Sequence, residues 1–312
     1  MPAFQKIVFV SQALTDDVDA LKQALDMAHR GNAELSALIV CPEFPPQQAT
    51  YRERYEASLT QQLDASIQAA RRATGIGADE LPIRIELESA SMPALRIIRQ
   101  VQRHGFDLVI KQAEHDEGER GFKAVDMELL RKCPSPLWLY RPPPTRAGAM
   151  RIAVAIEPQS VNAQAHALSL RLLLLGRSIS QHYGSELHIV SCWDFPLEEY
   201  LRGNAWIELA DDEILETVLE TQRHHRAALD KLIGKSAVGG DIRVHHMRGD
   251  AGKMIPQFVA DQHIGLLVMG TVARTGIPGF VIGNTAENIV RKLDCSLLAA
   301  KPNGFVSPVK AC

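Results

Sequence analysis

An internal repeat is the feature that most constrains the fold of this chain. Residues 6–11 (KIVFVS) and 151–156 (RIAVAI) each begin a series of short apolar runs that alternate with helical patterns. The second apolar run of each series ends in the same pattern, a cysteine, any residue, an acidic residue, Phe and Pro, at 41–45 and at 192–196. Because the matched segments keep their order along the whole chain, the sequence predicts two copies of one structural unit.

The alternation of strands and helices predicts an α/β fold. Parallel strands joined by helices form a sheet with helices on both faces. We predict a first domain at 1–142, a proline-rich linker at 143–149, a second domain at 150–303 and a tail at 304–312. Ligands of such sheets bind beyond the carboxyl ends of the strands. The predicted strand ends of the second domain that should surround one crevice are Ile156-Glu157, 191–192 and Gly270-Thr271.

Composition excludes several classes of protein. The 312 residues carry a net charge of −3, which supplies no basic surface for nucleic acid. No apolar run is long enough to span a bilayer, and the first residues lack the layout of a signal peptide. The five cysteines are scattered, which is typical of reduced thiols and gives no zinc framework. We therefore expect a cytoplasmic protein that neither inserts into a membrane nor binds nucleic acid.

Histidines and catalytic motifs indicate neither a metal site nor an active centre. His245 and His246 are neighbours on a predicted strand and point to opposite faces, so they cannot share one metal ion. The G-x-S-x-G motif of serine hydrolases is absent. Cys41 and Cys192 lie at predicted strand ends, where we favour packing over reactivity. We predict no catalytic residue and no metal ligand.

Residues 266–291 are the strongest candidate for a ligand site. An apolar run ends at Gly270, a glycine-containing loop follows, and a helical pattern begins near Gly283. We expect Asn284 or Thr285 to cap that helix. Free N–H groups at a helix start favour an anion such as phosphate. The pattern is neither a Walker A loop nor the compact G-x-G-x-x-G fingerprint, and a purely structural turn between strand and helix is the open alternative.

The spacing in this stretch resembles that of the universal stress proteins. That family carries G-x2-G-x9-G-(S/T) between its fourth strand and fourth helix, and its nucleotide-binding members hold ATP phosphates and ribose there. Here the pattern falls on Gly270, Ala273, Gly283 and Asn284, so Ala273 replaces a glycine and Asn284 replaces the hydroxyl residue. Thr285 supplies a hydroxyl one residue later. The resemblance implies a site for ATP or another adenine nucleotide, with Mg²⁺ if the nucleotide is hydrolysed.

Two further motifs extend the resemblance to nearly the whole chain. LLRKCPSP at 129–136 and GNTAE at 283–287 look like segments of the tandem E-type universal stress proteins of Gram-negative bacteria. This implies two tandem universal-stress-protein domains, each a five-stranded parallel sheet with strand order 3-2-1-4-5. The family dimerises through its last strand. Residues 137–140 are therefore expected to pair with 297–300 as an intramolecular pseudo-dimer that covers two sheet edges, and a further homodimer stays open.

The family pattern implies roles for other residues. In ATP-binding members an acidic residue after the first strand contacts adenine or ribose, and Glu157 holds that place here. Met269 is either a surface on which a base packs or an ordinary core residue. The first domain has lost the glycine spacing, Lys111 aligns with Gly270, and the loop that follows is acidic. We expect no nucleotide there, and Lys111 and Lys123 are either solvated or attract some other anion.

These observations favour a stress-response protein that binds a ligand and regulates over a conventional enzyme. The expected ligand is a nucleotide or another phosphate-bearing molecule in the second domain. Three alternatives stay open: a vestigial site in a protein–protein scaffold, a weak ATPase, and a carrier or sensor of a phosphate-bearing lipid.

Overall fold

The fold repeats one α/β unit twice along the chain. The computed structural model describes residues 4–13, 17–114, 121–142, 150–159, 162–203, 210–271 and 282–310. These residues form ten strands and nine α-helices, and no helix among them is long and apolar enough to cross a bilayer. The first half contains β1 (Lys6–Ser11), α1 (Val18–Gly31), β2 (Glu34–Cys41), α2 (Ala49–Thr74), β3 (Ile83–Ser89), α3 (Pro93–His104), β4 (Leu108–Gln112), α4 (Ala124–Lys132) and β5 (Leu137–Tyr140). The second half contains β6 (Ile152–Ala155), α5 (Ala163–His182), β7 (Leu187–Trp193), α6 (Glu198–Gly203), α7 (Asp211–Ser236), β8 (Ile242–Arg248), α8 (Ala251–Asp261), β9 (Leu266–Gly270), α9 (Asn284–Val290) and β10 (Ser296–Ala300).

All ten strands belong to one continuous sheet. Its order is β3-β2-β1-β4-β5-β10-β9-β6-β7-β8. Within each half the neighbouring strands are parallel, and both halves have the order 3-2-1-4-5 that the family resemblance implies. The strand order reverses between β1 and β4 and between β6 and β9, so each half has a switch point at which ligands bind in α/β sheets.

Helices cover both faces of the sheet and bury two apolar layers. Side chains from α1, α2, α5 and α7 pack on one face, and side chains from α3, α4, α8 and α9 pack on the other. The central strands therefore consist of near-continuous apolar residues, as in β1, where five of six residues are buried. Each layer contains residues of both halves, so the apolar core continues across the seam between them.

The seam is the antiparallel pairing of β5 with β10, which confirms the expected pairing of the last strands. Leu139 lies opposite Leu297, Trp138 opposite Leu298 and Leu137 opposite Ala299. Trp138 and Leu298 form the central pair, and both side chains are fully buried. The pairing hydrogen-bonds two strand edges that would otherwise be exposed.

A cation from each half crosses the seam beside these strands. Arg141 follows β5, and its guanidinium donates to the carbonyl of Leu293 in the second half at 2.7 Å. Lys301 follows β10, and its Nζ donates to the carbonyl of Leu130 in the first half at 2.8 Å. Leu130 lies in the last turn of α4, where a cation complements the helix dipole, and Leu293 lies three residues after the end of α9.

The segment after β10 packs against the first half. Ser307 Oγ donates to the carbonyl of Lys132, the last residue of α4, at 2.7 Å. The Val309 side chain is buried in the apolar layer beneath α4. The C-terminal residues are thus a clasp that joins the second half to the first.

We predict that the seam is essential to stability. Leu298→Ala should lower the free energy of unfolding by about 2–5 kcal/mol, because it removes a fully buried side chain at the centre of the β5–β10 pairing. Leu174→Ala makes the same chemical change at a leucine that is 45% exposed on α5, and it should cost about 0.5 kcal/mol or less. Urea unfolding of both variants measures the difference, and equal losses would contradict a critical seam.

Candidate functional site

The switch point of the second half lies between β6 and β9. Ala155 pairs with Met269 at the carboxyl ends of these strands, so Ile156 and Gly270 follow at the same edge of the sheet. Ile156 is buried, its N–H donates to the Val190 carbonyl at 3.1 Å, and its carbonyl accepts from Ser191 Oγ at 2.9 Å. The predicted strand ends therefore do meet around one crevice.

Glu157 lies on the rim of this crevice. Its Oε1 accepts the backbone N–H of Gln159 at 3.0 Å and lies 3.8 Å from Nε2 of His225. Ser169 Oγ on α5 donates to the Glu157 carbonyl at 3.4 Å. The carboxylate is oriented by its own loop, and 28% of the side chain is exposed to solvent. It is therefore accessible to a ligand at the strand ends.

The two ends of the glycine-containing loop are held together. Gly283 N–H donates to the Thr271 carbonyl at 3.0 Å, and Thr271 N–H donates to the Ala300 carbonyl at 3.2 Å. A Cβ on Gly270 would lie 2.9 Å from Leu168 Cδ2, so a larger residue at 270 would require the end of that leucine side chain on α5 to shift. Gly283 has φ −62° and ψ 144°, a conformation open to any residue. Backbone strain therefore does not explain the glycine at 283.

Thr271 brings a buried hydroxyl to the crevice. The residue is 1% exposed, and its Oγ1 has no hydrogen-bond partner among the described residues. Buried hydroxyl groups normally have a partner, because leaving one unsatisfied costs about 1–3 kcal/mol. Thr271 lies beside Gly283 and the first turn of α9. The hydroxyl therefore belongs to a residue at the strand ends, next to the start of α9.

The structure separates the other predicted site residues. Met269 is buried and packs in the apolar layer under α8 and α9, which agrees with its core interpretation. Asn284 and Thr285 are exposed at the start of α9. Ala273 lies outside the described residues.

The predicted cap of α9 was wrong. Gly283 is the N-cap residue and Asn284 is already helical, so neither Asn284 nor Thr285 caps the helix. Glu287 does not form a capping box with Asn284 in this arrangement. Its carboxylate instead accepts from Arg291 at 2.7 Å and, across the seam, from Arg131 at 3.0 Å.

A buried ion pair fills the equivalent position of the first half. Lys111 is 3% exposed, and its Nζ lies 2.9 Å from Asp126 Oδ1 on α4, which is fully buried. Asp126 also accepts the backbone N–H of Glu114 at 2.8 Å. Burial raises the pKa of Asp126, and the neighbouring Lys111 opposes that rise. Lys111 is therefore neither a solvated loop lysine nor free to attract an anion.

The sheet register corrects the predicted alignment by one residue. Ile7 pairs with Leu108 and Ile152 pairs with Leu266, so Lys111 corresponds to Met269 and not to Gly270. Asp126 and Ala286 are both the third residue of their helices. The buried ion pair of the first half is thus replaced by the apolar pair of Met269 and Ala286 in the second. This exchange leaves the second crevice without a charge pair of its own at that point.

Two stacked histidine pairs flank the second half of the sheet. His245 and His246 lie on opposite faces of β8, as predicted: His245 stacks on His188 with 5.2 Å between ring centres, and His246 stacks on His225 with 5.0 Å. Burial lowers the pKa of His188, His245 and His246, which favours neutral imidazoles. Over the described residues, no group of three or more His, Cys, Asp or Glu side chains is arranged to hold a metal ion.

Cys192 lies at the end of β7 beside the same crevice. Burial, assisted by the carboxylates of Asp250 and Glu157, raises the pKa of its thiol to about 12. A thiol with that pKa is protonated and a poor nucleophile near neutral pH. The geometry thus agrees with packing as the role of Cys192.

Comparison with known sequences identifies the family. The sequence model of the universal stress protein family matches residues 3–141 and again 149–301. The chain belongs to the universal stress protein family. Both halves are universal stress domains, and the tandem resemblance is therefore confirmed. The chain is 29% identical over 318 residues to Universal stress protein E of Escherichia coli K12, covering 99% of this chain and 98% of that protein. It is 28% identical over 326 residues to Universal stress protein E of Photorhabdus laumondii, covering 100% and 99%.

Solved structures share the tandem fold. A functionally unknown protein from Pseudomonas aeruginosa PAO1 superposes with a TM-score of 0.69 at 22% identity, covering 97% of this chain and 94% of that one. A universal stress protein from Archaeoglobus fulgidus superposes with a TM-score of 0.65 at 14% identity, covering 95% and 98%. These structures support the arrangement of two universal stress domains in one sheet.

Sequence reasoning missed the polar groups that distinguish the two halves. Asp126 in the first turn of α4 looked like an ordinary helix-start acid, and nothing local linked it to Lys111. His225 on α7 comes within 3.8 Å of Glu157, and no feature of the local sequence indicated that approach. A lone arginine, Arg171, interrupts the leucine-rich run of α5 and was a visible signal for a cation with a specific role.

We predict that the fold of the first half does not require the Lys111–Asp126 ion pair, provided that both charges are removed together. Lys111→Met alone should lower the free energy of unfolding by about 3–5 kcal/mol, because it leaves Asp126 buried without its counter-charge. The double variant Lys111→Met with Asp126→Ala copies the second-half pair of Met269 and Ala286, and it should recover most of that loss. Chemical unfolding of both variants checks the difference, and a double variant no more stable than the single one would contradict the prediction.

The decrease in the free energy of unfolding of the Lys111→Met variant should also depend on pH. The pKa of Asp126 is raised in the folded state, so the folded chain holds this proton more tightly than the unfolded chain does. Stability from such a group is present at low pH and is lost as pH rises through the folded pKa. Without Lys111 the pKa rises further. The destabilisation should therefore be large at neutral pH and should shrink toward about pH 4, near the ordinary carboxyl pKa.

Proposed function

We propose that this universal stress protein binds a phosphate-bearing ligand, in the first instance an adenine nucleotide, in its second domain and acts through ligand-dependent regulation. We assign that domain to residues 150–303. The observation that carries the proposal is the buried Thr271 hydroxyl at the carboxyl end of β9, which has no hydrogen-bond partner among the described residues.

The contrast between the halves supports this assignment. In the first half, Lys111 and Asp126 neutralise each other at the equivalent position, 2.9 Å apart. In the second half, Met269 and Ala286 leave no such pair, and a rim carboxylate and a hydroxyl border the crevice. A ligand with an anionic group and a sugar would find complementary partners in the second crevice and an already satisfied ion pair in the first.

Three groups are suited to hold such a ligand. The backbone N–H groups in the first turn of α9 have no partner within the helix and favour a phosphate. Thr271 lies at the base of the same turn, because the N–H of Gly283 donates to the Thr271 carbonyl. Glu157, on the opposite rim, is a suitable acceptor for ribose hydroxyls. No step of hydrolysis follows from this arrangement, because binding by itself requires no catalytic group.

We predict that Gly283→Glu removes nucleotide binding. The new carboxylate lies at the start of α9, where it repels a phosphate, while the backbone conformation at 283 accepts any residue. Calorimetric titration with ATP and with AMP should show affinity reduced by about tenfold or more, the effect of about 1.4 kcal/mol. The matched control is Lys123→Glu, which adds a carboxylate at the N-cap of α4 in the first half and should leave affinity unchanged.

The variant Thr271→Val separates a ligand role from a structural role. Removing a buried hydroxyl that has no partner should leave the thermal midpoint of the free protein unchanged or raised, since no hydrogen bond is lost. The same change should weaken nucleotide binding several-fold. A Thr271→Val protein that is destabilised but binds the nucleotide normally would assign the hydroxyl to the fold.

The same samples test the alternatives. If neither ATP nor AMP binds the wild-type protein at millimolar concentration, the nucleotide proposal is wrong and a scaffold role is favoured. Turnover of ATP that is lost in Glu157→Ala would make the protein an ATPase. A phosphate-bearing lipid released on denaturation and detected by mass spectrometry would identify a carrier or sensor.

A further inference from the structure

A second cleft lies at the seam, apart from the crevice of the second half. It is an open cleft of about 340 Å³, formed by the end of α3, the turns that precede β4 and β5, α5 and the segment that follows β10. None of the residues assigned to the second-half crevice lines it. Because its walls come from both halves and from the C-terminal clasp, the cleft exists only in the joined chain.

Two cations border this cleft, one half-buried and one buried. Arg171 on α5 is half-buried, and one of its guanidinium nitrogens lies 3.3 Å from Asn303 Oδ1. Lys301 is 6% exposed, its Nζ donates to the Leu130 carbonyl, and it lies 5.1 Å from the ring centre of Phe305. Burial lowers the pKa of both side chains, that of Lys301 to about 8. Holding two cations away from water is costly unless an anion compensates them.

The carboxylate that borders the cleft is already engaged. Asp107 accepts the backbone N–H of Gln5 at 2.7 Å and that of Lys6 at 3.0 Å, one on each oxygen. The negative charge of Asp107 raises the pKa of Arg171 and so opposes the effect of burial. The cleft nevertheless has two cations and this one carboxylate among its lining residues. A guanidinium carries five N–H donors, and in the described part of the chain the bond to Asn303 uses only one of the Arg171 nitrogens. The cleft therefore has a positive balance and unused donors.

The pseudo-symmetry of the chain provides an internal comparison. Asp26 on α1 and Arg171 on α5 lie at the same sequence distance from the N-cap residues of their helices, Asp17 and Asn162. Asp26 pairs with Arg30 at 2.8 Å, and Nε2 of His182 contacts its carboxylate across the seam. The two sides of the seam have thus diverged: one carries a compensated carboxylate, and the other carries a cation at the mouth of a cleft.

We propose that this seam cleft binds a small oxyanion, a carboxylate or phosphate group of a metabolite, with Arg171 as its main contact and Lys301 as the second cation. The planar guanidinium pairs with two oxygens of such a group at once. A volume of about 340 Å³ lies at the lower end of the range for ligand pockets, so the ligand is a small molecule. Its binding would tie α5 of the second half to the clasp and the first half.

The test is calorimetric titration of the full chain with inorganic phosphate and, separately, with succinate. Arg171→Gln should weaken binding of the preferred probe by about tenfold or more, because it removes the charge and the paired donors. Arg171→Lys keeps the charge without the planar fork and should lie between Gln and wild type. The matched control is Arg177→Gln on the same helix, whose guanidinium contacts the Asp241 carbonyl outside the cleft and which should bind normally.

The two sites are separated by crossing their variants. Gly283→Glu should leave binding of the probe in the seam cleft unchanged, and Arg171→Gln should leave nucleotide binding in the second domain unchanged. If phosphate binding is lost in Gly283→Glu and retained in Arg171→Gln, the ion occupies the strand-end crevice and the seam proposal is wrong. The absence of binding by both probes at millimolar concentration would also overturn it. Tighter binding of succinate than of phosphate would assign a carboxylate ligand, and the reverse order a phosphate.

Discussion

The antiparallel pairing of β5 with β10 is the constraint on which the rest of the structure depends. Each half alone would end its sheet in an exposed edge strand, which is a template for uncontrolled association. Here each edge covers the other, and the central pair, Trp138 and Leu298, is fully buried. Arg141 and Lys301 then reach across the seam and donate to backbone carbonyls of the opposite half. Two domains become one sheet with apolar layers that continue through it.

Duplication lets the two copies take different roles within one fold. In the first copy, Lys111 and Asp126 form a buried ion pair at the strand ends. Because each charge compensates the other, neither is available to a charged ligand. The second copy has apolar residues at the same two positions and presents a hydroxyl and a carboxylate around its crevice instead. Because the backbone frame is shared, the difference in chemistry comes from a few side chains at equivalent positions.

The joined chain also forms a cleft that neither copy would form alone. The seam cleft needs α5 from the second half, the turns before β4 and β5 from the first, and the C-terminal clasp. Its cation, Arg171, contacts Asn303, whereas Asp26 on α1 is already paired with Arg30, so the two sides of the seam carry different polar groups. Changes at an intramolecular interface need not be self-complementary, because each side exists once per chain. That freedom is what makes distinct polar sites on the two sides of the seam feasible.

The sequence by itself determined the two repeated units, the alternation of strands and helices, the pairing of the last strands and the location of the second-half crevice. These properties follow from apolar periodicity, from glycine spacing and from family resemblance, all of which are recorded locally. Only the tertiary structure decided that Lys111 corresponds to Met269, that Asp126 neutralises it, that Gly283 caps α9, and that Arg171 and Lys301 share a cleft. The physical reason is that polar partners come from elements far apart in the chain, and a register shift of one residue moves a side chain to the other face of a sheet. Periodicity tells which residues are buried, and only packing tells what each buried charge meets.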